Sequence, residues 1–354
     1  MTSDDPGNPV VTARHRSEMS LNYTLAENCD AVSQAALTRL RNRLMRHYNI
    51  VAEMRMEAWA PAQSNTRITR SLHNLKRWFE VQLLGHYFAQ PPAWRKYLRG
   101  LRGNRTLPDF CIIGPPKCAT SDLATSVLLH PNVIPPLAKE IHSPDAESWR
   151  LYYPTEREKA RHTKRFGLAL SPYLHPSLHR MEVPYSLRYS RPDAKIVIVL
   201  RNPIERLYSH WKWELFLSGS IRAKKLPFLA TFGQYVDKSL GMHEEGLMYS
   251  ACDAEGLTHS IYGNAVRNWI DCFGRNNVLV LNVEDYFSDQ AAFMDEVYSF
   301  VGLPKMTLPK FESRTNENPL RTPPPEDETI EKLRNFFAPH NENLWKIIDK
   351  KFDW

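Results

Sequence analysis

Residues 110–133 read FCIIGPPKCATSDLATSVLLHPNV, and this stretch decides the fold. A short apolar run, Phe110 to Ile113, stops at Gly114, passes through Pro115, Pro116 and Lys117, and enters an amphipathic segment at Thr120 and Ser121. A buried strand feeding a helix through such a turn is a ready anion site. Amides at the helix start and the positive end of its dipole face the ligand, and Lys117 adds a full charge. The spacing is not that of the ATP-type loop, whose lysine follows a second glycine and precedes a hydroxyl residue. Here Lys117 stands three residues after Gly114 and is followed by Cys118. The stretch predicts a site for a phosphate or its analogue, held by a different recipe.

A second anion site is predicted at 195–213, KIVIVLRNPIERLYSHWKW. The strand ends at Leu200, so Arg201 falls at its carboxyl end, where open α/β sheets bind ligands. Asn202, Pro203 and Glu205 suit the N-cap, N1 and N3 positions of the following helix. That arrangement holds Arg201 beside a helix start, placed for a bidentate phosphate contact. Ser209, eight residues on, adds a hydroxyl. Taken alone, Arg201 reads equally well as the partner of a core carboxylate and Ser209 as a helix-surface residue. Together with the first loop, the anion site is favoured.

Around these motifs the pattern is α/β. Strand candidates at 109–113, 132–134, 166–170, 195–200 and 278–282 are short, apolar and separated by helical stretches. They predict a P-loop-like, three-layer fold: a central, mostly parallel sheet of about five strands with helices on both faces. A final helix is expected over about 327–350, presenting Ile330, Leu333, Phe336 and Phe337. Upstream, residues 1–30 are polar and without period, and helical spacing is found over 31–56 and 70–88. Pro91-Pro92 breaks that pattern, and Trp94 to Leu101 reads as a basic connector. The chain thus divides into an N-terminal extension, 1–106, partly disordered and then helical, and a main domain, 107–354.

Composition narrows the chemistry. With 354 residues, 42% hydrophobic and 24% charged, the chain can bury one large core. A net charge of +7 favours anionic ligands without selecting among them. Nucleic-acid binding is disfavoured, because finger-type Cys/His spacing and a dense basic block are both missing. The five cysteines, Cys29, Cys111, Cys118, Cys252 and Cys272, are scattered and odd in number. They do not form a disulfide framework, although a Cys252–Cys272 bridge is allowed. Cys111 and Cys118 read as packing residues. No run reaches the roughly 18 apolar residues of a membrane span, and Met1 is not followed by a signal-type apolar core. As written the chain reads as soluble and cytoplasmic; removal of an N-terminal Golgi anchor would reverse that. Asn22 and Asn104 begin glycosylation sequons.

The motifs, taken in order, resemble the sulfotransferases that use 3′-phosphoadenosine 5′-phosphosulfate (PAPS). Leu107-Pro-Asp-Phe followed by Ile113-Gly-Pro-Pro-Lys-Cys-Ala-Thr-Ser-Asp-Leu is similar to their 5′-phosphosulfate loop, and Arg201-Asn-Pro-Ile-Glu-Arg with Ser209 to their 3′-phosphate motif. The likeness continues through Tyr262, Trp269, Val278-Leu-Val-Leu, Glu284-Asp285 and Phe300-Val-Gly-Leu-Pro, covering about 107–354. The Gly-Pro-Pro-Lys-Cys version most resembles Golgi carbohydrate sulfotransferases of the N-acetylgalactosamine 4-sulfate 6-O type. The resemblance implies PAPS as sulfuryl donor, PAP as product, no metal, and a hydroxyl acceptor on a carbohydrate or glycosaminoglycan. It implies a cofactor site of Lys117, Cys118, Ala119, Thr120, Ser121, Asp122, Arg201, Ser209 and Tyr262. Lys117 is expected on the bridging and sulfonyl oxygens. Ala119 departs from the family, which usually has glycine there; a methyl at a position of φ > 0 strains the loop.

Sulfuryl transfer needs a base for the acceptor hydroxyl and charge neutralisation on the leaving phosphate. Lys139-Glu140-Ile141-His142 resembles the Lys-Glu-x-His segment of heparan- and chondroitin-type enzymes. That likeness makes Glu140 the general base, with Lys139 near the sulfonate and His142 beside them. The family's aromatic pair after the histidine is replaced by Ser143-Pro144. His210 is the rival base, because cytosolic small-molecule enzymes use a histidine. Ser171-Pro172-Tyr173 reads either as a wall of the acceptor cleft or as a strand end. Arg314 and Arg321 fall where the family closes a loop over the nucleotide, without its usual Lys-Gly-Arg pattern. Trp211 and Trp213 read as core rather than as a platform for adenine. Transfer to a small alcohol or phenol is the alternative, followed by a P-loop kinase or NTPase and by a non-catalytic nucleotide-binding protein.

Overall fold

A computed structural model of the chain describes residues 91, 93–141, 143–175, 178–218, 231–246, 256–308 and 322–354. The helical segments expected over 31–56 and 70–88, Asn22, the Cys252–Cys272 pairing, His142, Arg314 and Arg321 lie outside the described residues.

Four strands form one sheet with the order β2-β1-β3-β4, and every pairing is parallel. They are β1 (Phe110–Ile113), β2 (Pro172–His175), β3 (Lys195–Leu200) and β4 (Val278–Asn282). The described helices in chain order are α1 (Ala93–Gly100), α2 (Thr120–Leu128), α3 (Glu156–Phe166), α4 (Glu182–Ser190), α5 (Pro203–Ser218), α6 (Phe232–Glu244), α7 (Gly263–Phe273), α8 (Val283–Ser288), α9 (Gln290–Val301) and α10 (Asp327–Ile348). The connector expected over 94–101 is the helix α1.

Period-two alternation distributes the strand side chains between two cores. Cys111, Ile113, Ile196, Ile198 and Leu200 face one side, where Val266 and Trp269 of α7 cover them. Phe110, Ile112, Val197 and Val199 face the other, under Leu123 and Val127 of α2 and Val297 of α9. Both faces are buried, which is why these strands read as unbroken apolar runs. A third cluster packs Leu207 and Trp211 of α5 on Phe232 and Val236 of α6 and on Leu333 and Phe337 of α10.

Two expected strands are corrected. Over 166–170, α3 starts in a capping box between Thr155 and Glu158, continues to Phe166, and ends at Gly167 with φ 81°. The edge strand comes later, at Pro172, within the Ser171-Pro172-Tyr173 segment that reads either as a wall of the acceptor cleft or as a strand end. Proline at the first position of an edge strand loses no ladder bond. The 132–134 stretch makes only an isolated parallel bridge, Val133 to Leu170, off the main sheet. Among the described residues the sheet therefore has four strands rather than about five.

β1 lies between β2 and β3, so the chain leaves β1 towards one edge and leaves β3 towards the other. The carboxyl ends of β1 and β3 flank the topological switch point, the expected ligand crevice of such a sheet. Both predicted anion motifs begin there. Glycine is required at position 114, because a Cβ would sit 2.4 Å from the Val199 carbonyl oxygen of β3. Gly114→Ala is expected to force β1 and β3 apart and to lower stability by about 2 kcal/mol. Urea unfolding of the two proteins checks this as a fall in the midpoint.

Candidate active site

The first loop is left-handed at two points: Lys117 has φ 79° and Ala119 has φ 51°. For an alanine this conformation costs about 1–2 kcal/mol. Ala119 is the N-cap of α2, and its carbonyl accepts from both Asp122 and Leu123 at 3.0 Å. Its side chain packs against the α2 side of the core, which compensates part of the strain. The first-turn amides of Thr120 and Ser121 have no intrahelical acceptor by helix geometry, so this end of α2 is suited to an anion.

Arg201 binds the two motifs to each other. Its Nη1 donates to the Lys117 carbonyl at 3.3 Å, and its Nη2 lies 3.7 Å from Glu205. Its Nε is buried, lies 3.7 Å from Glu284, and finds no hydrogen-bond partner among the described residues. The guanidinium thus has carboxylate neighbours, as the plainer interpretation required, while its side chain stays partly exposed. Asn202 caps α5, accepting from the Ile204 amide at 3.0 Å. Its own amide donates to Glu284 at 3.3 Å rather than closing a box with Glu205. Burial raises the Glu284 carboxyl above the usual range. Tyr262, 2% exposed, donates its hydroxyl to the Arg201 carbonyl at 2.8 Å. It therefore holds the backbone of the motif from behind. Ser209 is half-buried on α5, two turns after the cap.

Arg206 lies in the Arg-Asn-Pro-Ile-Glu-Arg run, yet sequence reasoning gave it no role. Its side chain is fully buried. Nε donates to the Pro116 carbonyl at 2.8 Å, Nη1 to the Gly256 carbonyl and, at 3.0 Å, to Ser260 Oγ. Nη2 lies 3.4 Å from His210 Nδ1, which accepts. The signal for Arg206 was its place five residues after Arg201; its burial was not readable. His210 is itself buried, and burial followed by the nearby Arg206 charge lowers its pKa well below 6.5. A ring whose Nδ1 is engaged by a guanidinium is poorly suited to take the acceptor proton.

Two expected contacts look inward. The Asp122 carboxylate accepts from the Tyr286 hydroxyl at 2.8 Å, fastening α2 to α8. Cys118 is buried and its thiol is pushed up to about 12 by burial, so it is a packing residue. Trp211 is core, 3% exposed, as expected. Trp213 is not: its ring lies under the Lys117 ammonium, 4.2 Å from Nζ to the ring centroid.

Lys139 and Glu140 form a pair on the loop after Val133. Lys139 is only 1% exposed, Glu140 is at the surface edge, and Lys139 Nζ donates to Glu140 Oε1 at 2.6 Å. Ala138 and Ile141, both 1% exposed, anchor the loop in the core under α7. The bridge at Val133 runs parallel to the chain entering β2, so the loop heads to the carboxyl edge of the sheet. Tyr173 of the Ser171-Pro172-Tyr173 segment is buried and stacks on Trp149 at 4.1 Å, so it braces β2.

The profile of the sulfotransferase domain family matches residues 107–335, and the chain belongs to that family. It is 25% identical to carbohydrate sulfotransferase 15 of Mus musculus, over 71% of this chain and 55% of that protein. It is 24% identical to heparan sulfate glucosamine 3-O-sulfotransferase 3A1 of Homo sapiens, over 76% and 68% respectively. The chain spans about half the length of the first of these relatives. Among solved structures, the sulfotransferase from Alicyclobacillus acidocaldarius is similar with a TM-score of 0.49 and 24% identity, over 70% of this chain and 98% of that one. No helix among the described residues is long and apolar enough to cross a membrane.

Two outcomes follow from the buried cations and rings. Arg206→Met leaves the Pro116 and Gly256 carbonyls without their donor and should cost about 3 kcal/mol in urea unfolding. Burial lowers His130 and His179 to about 4 and His259 to about 3. These rings stay neutral in the fold while the unfolded chain protonates near pH 6.5, so the unfolded state binds more protons between the two values. The stability they contribute is full above about 6.5 and is lost as pH falls towards 4, by about 1.4 kcal/mol per pH unit for each ring. Calorimetry at pH 7.5 and pH 5 reads this as a lower melting temperature at the acid point.

Proposed function

We propose that this chain transfers the sulfuryl group of PAPS to an acceptor hydroxyl, most reasonably on a carbohydrate. The observation that carries this is the joint between Arg201 and the Lys117 carbonyl at the switch point of the sheet. It sets a helix N-terminus, a lysine and an arginine with an unsatisfied buried Nε around one crevice. That constellation suits a ligand with phosphate at one end and phosphosulfate at the other. Family membership and the names of the relatives, a carbohydrate sulfotransferase and a heparan sulfate sulfotransferase, support the same substrate class.

PAPS supplies the sulfuryl group and leaves as PAP. In this reading the α2 amides at Thr120 and Ser121 and the Lys117 ammonium receive the 5′-phosphosulfate, while Arg201 and Ser209 receive the 3′-phosphate. The acceptor oxygen attacks sulfur in line; its bond to sulfur forms as the bond from sulfur to the phosphate oxygen breaks. Glu140 takes the hydroxyl proton. Its pairing with Lys139 orients the carboxylate, and Lys139 is anchored by burial rather than swinging in solvent. Lys117 neutralises charge on the sulfonyl and leaving oxygens. Catalysis is then mainly positioning and electrostatics, as in phosphoryl transfer.

The test is a screen with labelled PAPS over chondroitin, dermatan, heparan and small alcohols or phenols. Glu140→Gln should lower the transfer rate about 100-fold or more while PAP affinity stays within about twofold. His210→Ala should leave a measurable rate on the same acceptor. Loss confined to His210→Ala would sink the Glu140 mechanism and move the reading to small-molecule acceptors. A Golgi-lumen location goes with the carbohydrate reading. Asn104, exposed after α1, would then carry glycan, seen as a glycosidase-sensitive mass shift on secretory expression.

A further inference from the structure

Residues 206, 210 and 213 of α5 are spaced i, i+4 and i+7 and so share one face of the helix. All three belong to the surroundings of the phosphosulfate loop. Arg206 holds the Pro116 carbonyl, His210 accepts from Arg206, and Trp213 lies against the ammonium of Lys117. Trp211, two residues before Trp213, instead packs into the cluster with Leu207 and Phe232. Trp213 is only half-buried and lies outside that cluster. Its placement follows the loop, not the core.

We propose that Trp213 is a positioning residue for Lys117: the face of its indole holds the ammonium at the mouth of the loop before the ligand arrives. The physical reason is the cost of ordering a lysine. Four rotatable bonds spread a lysine ammonium over many rotamers, and that freedom is lost when an anion binds. The negative face of an indole attracts a cation without neutralising it, so the charge remains available to an incoming phosphosulfate. Lys117 itself departs from the usual backbone regions, with φ 79°, and its carbonyl is held by Arg201. The backbone of the residue is thus fixed from one side and its side chain from the other. The proposal rests on the reading that Lys117 meets the 5′ end of PAPS.

The experiment uses the full chain and PAP as the probe, so no acceptor is needed. Calorimetric titrations are run on the wild type, Trp213→Phe, Trp213→Leu, Lys117→Met and the Trp213→Leu/Lys117→Met double variant, each checked for an unchanged melting temperature. Trp213→Leu should weaken PAP binding about fivefold, whereas Trp213→Phe, which retains a π face, should weaken it about twofold. In the Lys117→Met background, Trp213→Leu should cost nothing more, because the ring acts only through the ammonium. Equal losses in both backgrounds, or equal losses for Phe and Leu, would overturn the proposal in favour of packing or of base stacking. A second measurement holds whatever the affinities do. The chain has 9 tryptophans, and the difference in emission between the wild type and Trp213→Phe isolates Trp213. That difference spectrum should change when Lys117 becomes Met; an unchanged spectrum means the pair does not form. If Lys117→Met alone leaves PAP affinity intact, the fault lies with the phosphosulfate reading, and the spectrum still decides the pairing.

Discussion

A fully enclosed guanidinium must find acceptors for its donors or destabilise the fold that encloses it, and Arg206 finds them on three separate pieces of chain. Pro116 of the first loop, Gly256 and Ser260 of the segment before α7, and His210 of its own helix all meet there. The loop over 114–119 has no regular structure to hold it, so its shape depends on such outside contacts. Arg201, Tyr262 and Glu284 extend the same network over the surface of the switch point. The loop is held in place because the guanidinium that fastens it, Arg206, is buried, while Arg201 at the strand end stays partly exposed.

Ala119 illustrates how much strain that cradle tolerates. The sequence points to an awkward methyl, and the backbone there is indeed left-handed. The strain persists because the residue also caps α2 and packs against the core. Local conformational cost at a functional turn is common where surrounding structure over-determines it. The proposed hold of Trp213 on Lys117 fits the same picture, with one more group ordered in advance of the ligand.

The strand at 195–200 was readable because both its faces are buried, and 278–282, half-buried at Leu279 and Val280, because its apolar run has no competitor. The stretch 166–170 misled because its leucines serve core packing after a helix stop, while the true edge strand opens on a proline. Apolar content alone does not distinguish a paired strand from a loop packed against a sheet. For the candidate site, residue type and order pointed to Lys117, Arg201 and the Lys139–Glu140 segment, and the structure joins the first two through the bond from Arg201 to the Lys117 carbonyl. Arg206 and Trp213 carried no such mark: a basic residue and an aromatic on a helix are ordinary until their direction is known.

The sequence by itself determined the two anion motifs, their order along the chain and the parallel α/β class. These follow from local chemistry: a strand that stops at Gly114, a lysine before a helix start, and a strand that ends in Arg-Asn-Pro. The tertiary structure decided which arginine stays partly exposed at the switch point and which holds the frame. Arg201 and Arg206 are five residues apart and chemically identical, yet one borders the crevice and the other is sealed beneath it. The reason is helical geometry at the switch point. A guanidinium at the strand end stays partly open to solvent, whereas one a turn into α5 is enclosed by the loop, the helix and the 256–260 segment.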